Sequence, residues 1–163
     1  MSTKRLCPHK EFPSYAFRPG KHIHPNKEGG HSYGEGEPSV DPLDPDNPYQ
    51  SEAYLYAIDL FNYGYFWESH VWWEALWNAH QRVGDEANLL KGLIKLAAWG
   101  IKKDLGQLKA AQGHLDRAIE LLGEVSQKHE VFTGIELSKL INLLKENPTK
   151  VSLNLSPNHI SNN

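Results

Sequence analysis

The feature that most constrains this chain is a tryptophan-rich segment near its middle. Residues 65–80, YFWESHVWWEALWNAH, hold four of the five tryptophans of the protein. At 100° per residue in an α-helix, Phe66, His70, Trp73 and Trp77 fall on one stripe about 60° wide. Further aromatic side chains lie off this stripe, so the segment predicts a central helix that neighbouring elements cover on most of its surface.

Apolar residues recur at helical spacing on both sides of this segment, between Ala53 and Leu144. A first helix is predicted to begin at Pro48, with Asn47 as its cap, and a fifth at the capping-box pattern Thr133-Gly134-Ile135-Glu136. The predicted helices cover about residues 48–63, 65–81, 86–105, 108–125 and a short stretch ending at 146. Short connections and the lack of a convincing strand pair predict an all-α fold, a compact bundle of about five antiparallel helices.

Two glycines lie along one edge of the third predicted helix, Gly92 and Gly100. A glycine in a helix interior costs about 1 kcal/mol relative to alanine. We therefore expect neighbouring side chains to approach this edge closely.

The two ends of the chain lack helical periodicity. Residues 1–47 are rich in Pro, Gly and His, which is typical of turns. Their aromatic residues are Phe12, Tyr15, Phe17 and Tyr33. Because such rings favour contact with a surface, we expect an extended, non-helical N-terminal arm that wraps the bundle. The predicted domain division is therefore the arm at 1–47, a helical bundle at 48–146 and a disordered Asn/Ser-rich tail at 147–163.

Charge and composition exclude several classes of partner. Seventeen basic and twenty acidic residues give a net charge of −3, without the basic surface expected for nucleic acid or an anionic membrane. No segment approaches the apolar run of about 20 residues that spans a bilayer. The single cysteine, Cys7, permits no intramolecular disulfide. Together with the absence of a signal-peptide pattern, these features predict a cytoplasmic protein.

The main candidate for chemistry is the pair His70 and Glu74, one helical turn apart. In a dry aromatic setting the two side chains could simply satisfy each other through a structural hydrogen bond. They could equally bind a metal or transfer a proton, which makes them the candidate catalytic residues. With His114, at the edge of the fourth helix's apolar stripe, they form a candidate first shell for a divalent cation such as Zn, Mn or Fe.

The arm adds Cys7, His9, His22, His24 and His31 as potential ligands. No Cys-x-x-Cys or His-x-x-x-His spacing is present, so the sequence predicts no closed zinc site. Ser32, in a Gly-His-Ser sequence, could act as a nucleophile, but the sequence places no base beside it.

Several motifs resemble a known protein family. They are LFNYGYFWESHVWWEALW, LLKGLIKLAAWGIK and GHLDRAIELL. Together they resemble the domain of unknown function 309, whose hallmark is an F-N-x-G-x-[FY]-[FW]-E-x-H-x-x-x-E-x-x-W helix, over about residues 49–125. The motif falls on Asn62, Gly64, Glu68, His70, Glu74, Trp77, Lys91 and Gly92. Many relatives carry an acidic residue directly after the histidine, where this chain has Val71. The resemblance implies a compact helical bundle with a polar His70–Glu74 signature, and it implies no activity.

Two functions follow as hypotheses. The first is a small-molecule- or metal-binding bundle, potentially an enzyme, with His70 and Glu74 in an aromatic pocket that the arm could cover. The other predicted pocket residues are Asn62, Phe66, Trp73, Trp77, His31 and Lys91. The alternative is a non-catalytic interaction or self-association module, a homo-oligomer for example, in which His70 and Glu74 are a structural pair. A concave pocket with convergent polar groups favours the first, and a flat apolar patch favours the second.

Overall fold

The structure, a computed structural model, describes residues 4–157. It contains five α-helices and one short hairpin: α1 (Glu52–Asn62), α2 (Phe66–Ala79), α3 (Asp85–Asp104), α4 (Leu108–Ser126), β1 (Val131–Phe132), β2 (Ile135–Glu136) and α5 (Leu137–Lys145). Each helix packs on its neighbour in the sequence, from α1 on α2 through to α4 on α5. The predicted all-α bundle with a non-helical arm is confirmed. None of the described helices is both long and apolar enough to cross a bilayer.

The beginnings of α1 and α5 differ from the predicted ones. Ser51 caps α1, its Oγ accepting the N–H of Tyr54 at 3.2 Å, while Pro48–Gln50 forms a separate 3-10 turn. Thr133 and Gly134 do not open α5. They have φ angles of 51° and 83° and form the turn between β1 and β2, because left-handed backbone matches the twist of a tight hairpin.

The tryptophan-rich helix α2 is not the central, covered helix that the sequence predicted, because four of its fourteen residues are buried, against nine of eleven in α1. The core lies between the helices. Its largest fully buried side chains include Trp73, Tyr54, Phe61, Ile58, Leu93 and Leu96. The two glycines of α3 permit close contact, as the sequence predicted. A Cβ at Gly92 would lie 3.0 Å from Leu122 of α4, and one at Gly100 would lie 2.7 Å from the ring of Phe66.

The arm crosses α1 and α2 and is held to α1 by a buried carboxylate. Asp59 accepts the backbone N–H groups of Leu6 and Cys7, both at 2.7 Å, and the Arg5 guanidinium at 3.1 Å. Both carboxylate oxygens of Asp59 are therefore satisfied by the arm.

Two of the four arm aromatics, Phe12 and Phe17, face the bundle. The ring centroid of Phe12 lies 4.8 Å from that of Tyr65, and Phe17 is buried with an edge-on contact to Trp67. Tyr33 remains exposed.

A C-terminal segment also packs on the bundle. The side-chain amide of Asn62 donates to the carbonyl of Leu153 at 2.9 Å and accepts its N–H at 2.7 Å, and Val151 is buried beside it. Residues 151–157 thus differ from the disordered tail expected at 147–163, because alternate apolar side chains of the segment reach the core. The remainder of that expected tail, residues 158–163, lies outside the described residues.

Candidate functional site

His70 and Glu74 form a pair on the side of α2 that faces the arm. Nε2 of His70 lies 3.0 Å from Oε2 of Glu74, and Nδ1 lies 2.8 Å from the backbone carbonyl of Trp67. The two side chains are 29% and 44% exposed, so the pair is accessible rather than buried as the aromatic stripe suggested. The buried side of α2 instead carries Trp73 and Leu76.

The pair lines a cleft of about 620 Å³ between α2 and the arm, which we call the arm cleft. It is lined by Asn26, Ser32, Gly34, Glu35, Gly36, Glu37, Pro38, Trp67, His70, Val71, Glu74, Ala75 and Asn78. This lining includes three glutamates and no lysine or arginine. The arm therefore borders the His70–Glu74 pair without burying it, and it supplies about half of the lining residues.

A second carboxylate of α2, that of Glu68, is buried beneath the arm. Its Oε2 accepts the backbone N–H of Phe17 at 2.9 Å and the Nε2–H of His31 at 2.7 Å. The side chains of Glu68 and His31 are each 4% exposed. Oε1 of Glu68 is buried and has no hydrogen-bond partner within residues 4–157. A buried acceptor left unpaired in this way carries a desolvation penalty of about 1–3 kcal/mol.

The Glu68–His31 pair continues to a serine hydroxyl. Nδ1 of His31 lies 2.7 Å from Oγ of Ser32. In the tautomer that carries its proton on Nε2, toward Glu68, the imidazole presents its Nδ1 lone pair to the Ser32 hydroxyl. This chain has the order of groups used by serine hydrolases, carboxylate to imidazole to hydroxyl, although the two ring nitrogens are exchanged. The fold thus joins the neighbouring residues His31 and Ser32 to the distant carboxylate of Glu68.

Ser32 lines two neighbouring clefts. One is the arm cleft, and the other is a cleft of about 400 Å³ that Glu68 and His31 also line. The hydrogen-bonded chain Glu68–His31–Ser32, which we call the proton chain, therefore ends at the same cleft that His70 and Glu74 line.

Six further residues were predicted to line the pocket, and none of them lines the arm cleft. They are Asn62, Phe66, Trp73, Trp77, His31 and Lys91. Asn62 holds the C-terminal segment, and Trp73 lies wholly in the core. The Arg82 guanidinium lies over the ring of Trp77, with its Cζ 4.6 Å from the centroid of that ring. His31 reaches the cleft only through Ser32.

The proposed metal trio of His70, Glu74 and His114 is not assembled. His114 lies on α4, where burial lowers its pKa and the charges of Lys95 and Lys102 lower it further. Such surroundings disfavour a cation. Among the described residues, one group of three potential metal ligands does come together, but it lies elsewhere, where the arm meets the start of α1. The ligand atoms of Cys7, His9 and Glu52 lie within 4.8 Å of one another.

Comparison with known proteins bears on the helical part of the chain. Residues 54–114 match the family model described as domain of unknown function (DUF309). The resemblance is confirmed. No curated protein and no solved structure matches the chain. The matched residues run from α1 into α4 and include Glu68, His70 and Glu74, whereas the arm, with His31 and Ser32, lies outside them.

Proposed function

We propose that this protein binds a small molecule bearing a cationic amine in the arm cleft and carries out acyl transfer on it at Ser32. The observation that carries the proposal is the proton chain, which ends at a cleft whose glutamates are not balanced by any lysine or arginine. The proposal refines the hypothesis of a small-molecule-binding bundle. It transfers the chemical role from the His70–Glu74 pair to the proton chain.

The cationic amine follows from the charges of the cleft. Glu74 is paired with His70, whereas Glu35 and Glu37 make no ion pair in the part of the chain that the structure describes. Trp67 contributes an aromatic wall, which attracts a cation through the ring quadrupole. Carboxylates on both sides of a concave site favour a positively charged ligand and disfavour an anionic one.

The chemistry follows from the order of the proton chain. As Ser32 Oγ attacks a carbonyl carbon, His31 takes the hydroxyl proton at Nδ1, and Glu68 stabilises the resulting imidazolium. The bond from the carbonyl carbon to the leaving group then breaks, and the leaving group takes the proton from His31. Water releases the acyl group from Ser32 by the same steps in which His31 acts first as base and then as acid.

The alternative, an interaction module, has less support. Its motive was the set of aromatic residues in the arm, and of these Phe12 and Phe17 pack against the bundle. Tyr15 donates its hydroxyl proton to the carbonyl of Ile23 at 2.6 Å, which keeps it within the arm. Tyr33 alone among the four offers an exposed ring.

A fluorophosphonate probe tests the proposal, because it phosphonylates a serine that a neighbouring base activates. We expect one adduct on Ser32 by peptide mass spectrometry, none in Ser32→Ala, and labelling slowed about 100-fold in His31→Gln.

Competition with small ions tests the cationic ligand. Putrescine should protect Ser32 from the probe, while succinate, of similar length but opposite charge, should not. Replacing Glu35 and Glu37 together by glutamine should abolish the protection.

Ser39→Ala serves as the matched control, because Ser39 is an exposed serine of the same arm. This variant should be labelled at Ser32 as fast as the wild type. An adduct at other serines, or equal labelling in His31→Gln, would rule out an activated Ser32. Protection by succinate equal to that by putrescine would rule out the cationic ligand and leave the reactive serine in place.

A further inference from the structure

The arm contains a second cluster of reactive side chains, away from the arm cleft. Cys7 is buried in the arm, His9 follows two residues later, and Glu52 is the first residue of α1. Sγ of Cys7 lies 3.7 Å from Nε2 of His9, and that same nitrogen lies 3.1 Å from Oε2 of Glu52. The three ligand atoms lie within 4.8 Å of one another.

We propose that Cys7, His9 and Glu52 form a binding site for a zinc-class divalent cation. A thiolate, an imidazole and a carboxylate are each established zinc ligands, and this mixture suits Zn²⁺ or Co²⁺ better than Mg²⁺ or Ca²⁺. With Zn–S near 2.3 Å and Zn–N or Zn–O near 2.0–2.2 Å, neighbouring ligand atoms of a tetrahedral site lie about 3.3–3.7 Å apart. The observed separations bracket that range, so small side-chain rotations suffice to admit the ion.

The turn that carries Cys7 and His9 is fixed before any ion binds. The backbone N–H of Lys10 donates to the carbonyl of Cys7 at 3.2 Å, closing the turn. Arg5 donates to the carbonyls of both Cys7 and Lys10, at 2.8 and 2.6 Å, and Asp59 accepts the N–H of Cys7. Such supporting contacts hold metal ligands in place and lower the entropy lost on binding.

Charged groups of both signs surround the site, the carboxylates of Glu52 and Asp59 and the cationic side chains of Lys10 and Arg5. Arg5 is engaged with Asp59, and Lys10 Nζ lies 3.6 Å from the other oxygen of Glu52. Binding releases the thiol proton to solvent, and the thiolate then neutralises part of the charge of the ion.

The geometry leaves one coordination position open. The side chains of His9 and Glu52 are 67% and 57% exposed, so an ion there would meet solvent on one side. Glu52 also lines a cleft of about 580 Å³ together with Asp41 and Asp44. Three protein ligands and an open fourth position are the arrangement of catalytic rather than structural zinc sites.

Cobalt titration of the full chain, purified without a His tag, tests this proposal. Thiolate ligation gives Co²⁺ a charge-transfer band in the near ultraviolet, and the chain has one cysteine, so the band reports on Cys7 alone. We expect the band in the wild type, its displacement by Zn²⁺, and its loss in Cys7→Ser. His9→Gln and Glu52→Gln should each weaken Co²⁺ binding at least about tenfold.

His22→Gln and Glu28→Gln are the matched controls, an exposed histidine and an exposed glutamate of the arm outside the cluster. Both should bind Co²⁺ as the wild type does. Because His9 and Glu52 are exposed, we expect their variants to keep the fold. These two variants therefore test the metal site even if Cys7→Ser detaches the arm from the bundle. Absence of the band, or a band unchanged in both His9→Gln and Glu52→Gln, would overturn the site.

Discussion

The two histidine–carboxylate pairs of α2 lie in different surroundings. His31 and Glu68 join the arm to the helix, and each side chain is 4% exposed. His70 and Glu74 lie one turn apart in the same helix and are 29% and 44% exposed. The first pair is removed from water, so its members depend on each other, whereas water can replace either member of the second.

This difference in burial implies different contributions of the two pairs to stability. Loss of either member of the buried pair strands a polar group that has no access to water, so His31 and Glu68 tie the arm to the bundle and keep the proton chain in line. The His70–Glu74 pair is expected to contribute little to stability, and it is accessible to the proposed ligand. A helix can thus contribute to a buried pair and to an accessible pair through residues only two positions apart, Glu68 and His70, and burial distinguishes the two pairs.

The largest expected effect is that of Glu68→Ala. The substitution strands the Nε2–H of His31 and the buried N–H of Phe17, which should lower the free energy of unfolding by about 3 kcal/mol. Urea unfolding measures the change, and trypsin should cut the arm faster at Arg18 and Lys21. Glu124→Ala, at an exposed glutamate of α4, should leave both readouts unchanged. If Glu68→Ala changed the two readouts as little as Glu124→Ala does, the docking of the arm would not depend on the His31–Glu68 pair.

An intermediate effect is expected for His31→Ala. Glu68 keeps its bond from Phe17 but loses its imidazole partner, so the loss should be about 2 kcal/mol. Adding Glu68→Gln to His31→Ala should restore part of the stability, because the neutral amide is less costly to bury than an unpaired carboxylate. No recovery in the double variant would mean that the lost packing of the ring, rather than the unpaired charge, sets the cost.

The smallest effect is expected for Glu74→Gln. An exposed i, i+4 pair contributes about 0.3–0.5 kcal/mol, so the urea midpoint should hardly move. The same variant should weaken protection of Ser32 by putrescine, since it removes one of the three carboxylates of the arm cleft. A loss of stability comparable to that of Glu68→Ala would erase the distinction between the two pairs.

Local patterns predicted the helices well, but they did not predict the contacts between the arm and α2. The apolar periodicity of α2 and α3 and the close approach at Gly92 and Gly100 are properties of short stretches of chain, so they could be read directly. The His70–Glu74 pair was found for the same reason. The bond between His31 and Glu68 joins positions 37 residues apart, and no local spacing signals it.

Some of the missed features did leave a signal. In the C-terminal segment, Val151, Leu153 and Leu155 alternate with polar residues, the pattern of an extended stretch with one buried side. The overall Asn and Ser content of that segment hid the pattern. Thr133-Gly134 carried two compatible signals, a helix cap and a hairpin turn. In the folded chain Thr133 Oγ1 lies 2.7 Å from the buried hydroxyl of Tyr54, a contact between residues distant in sequence that no local pattern signals.

Two of the contacts that anchor the arm suggest an order of events in folding. Arg5 meets Asp59 across 54 residues and His31 meets Glu68 across 37, so each contact closes a long loop onto a helix. We therefore expect the arm to dock after α1 and α2 have formed and to undock before they melt. The arm cleft exists only in docked molecules. A substitution that weakens docking is therefore expected to lower the fraction of molecules with a complete cleft, and with it the apparent affinity for the proposed ligand.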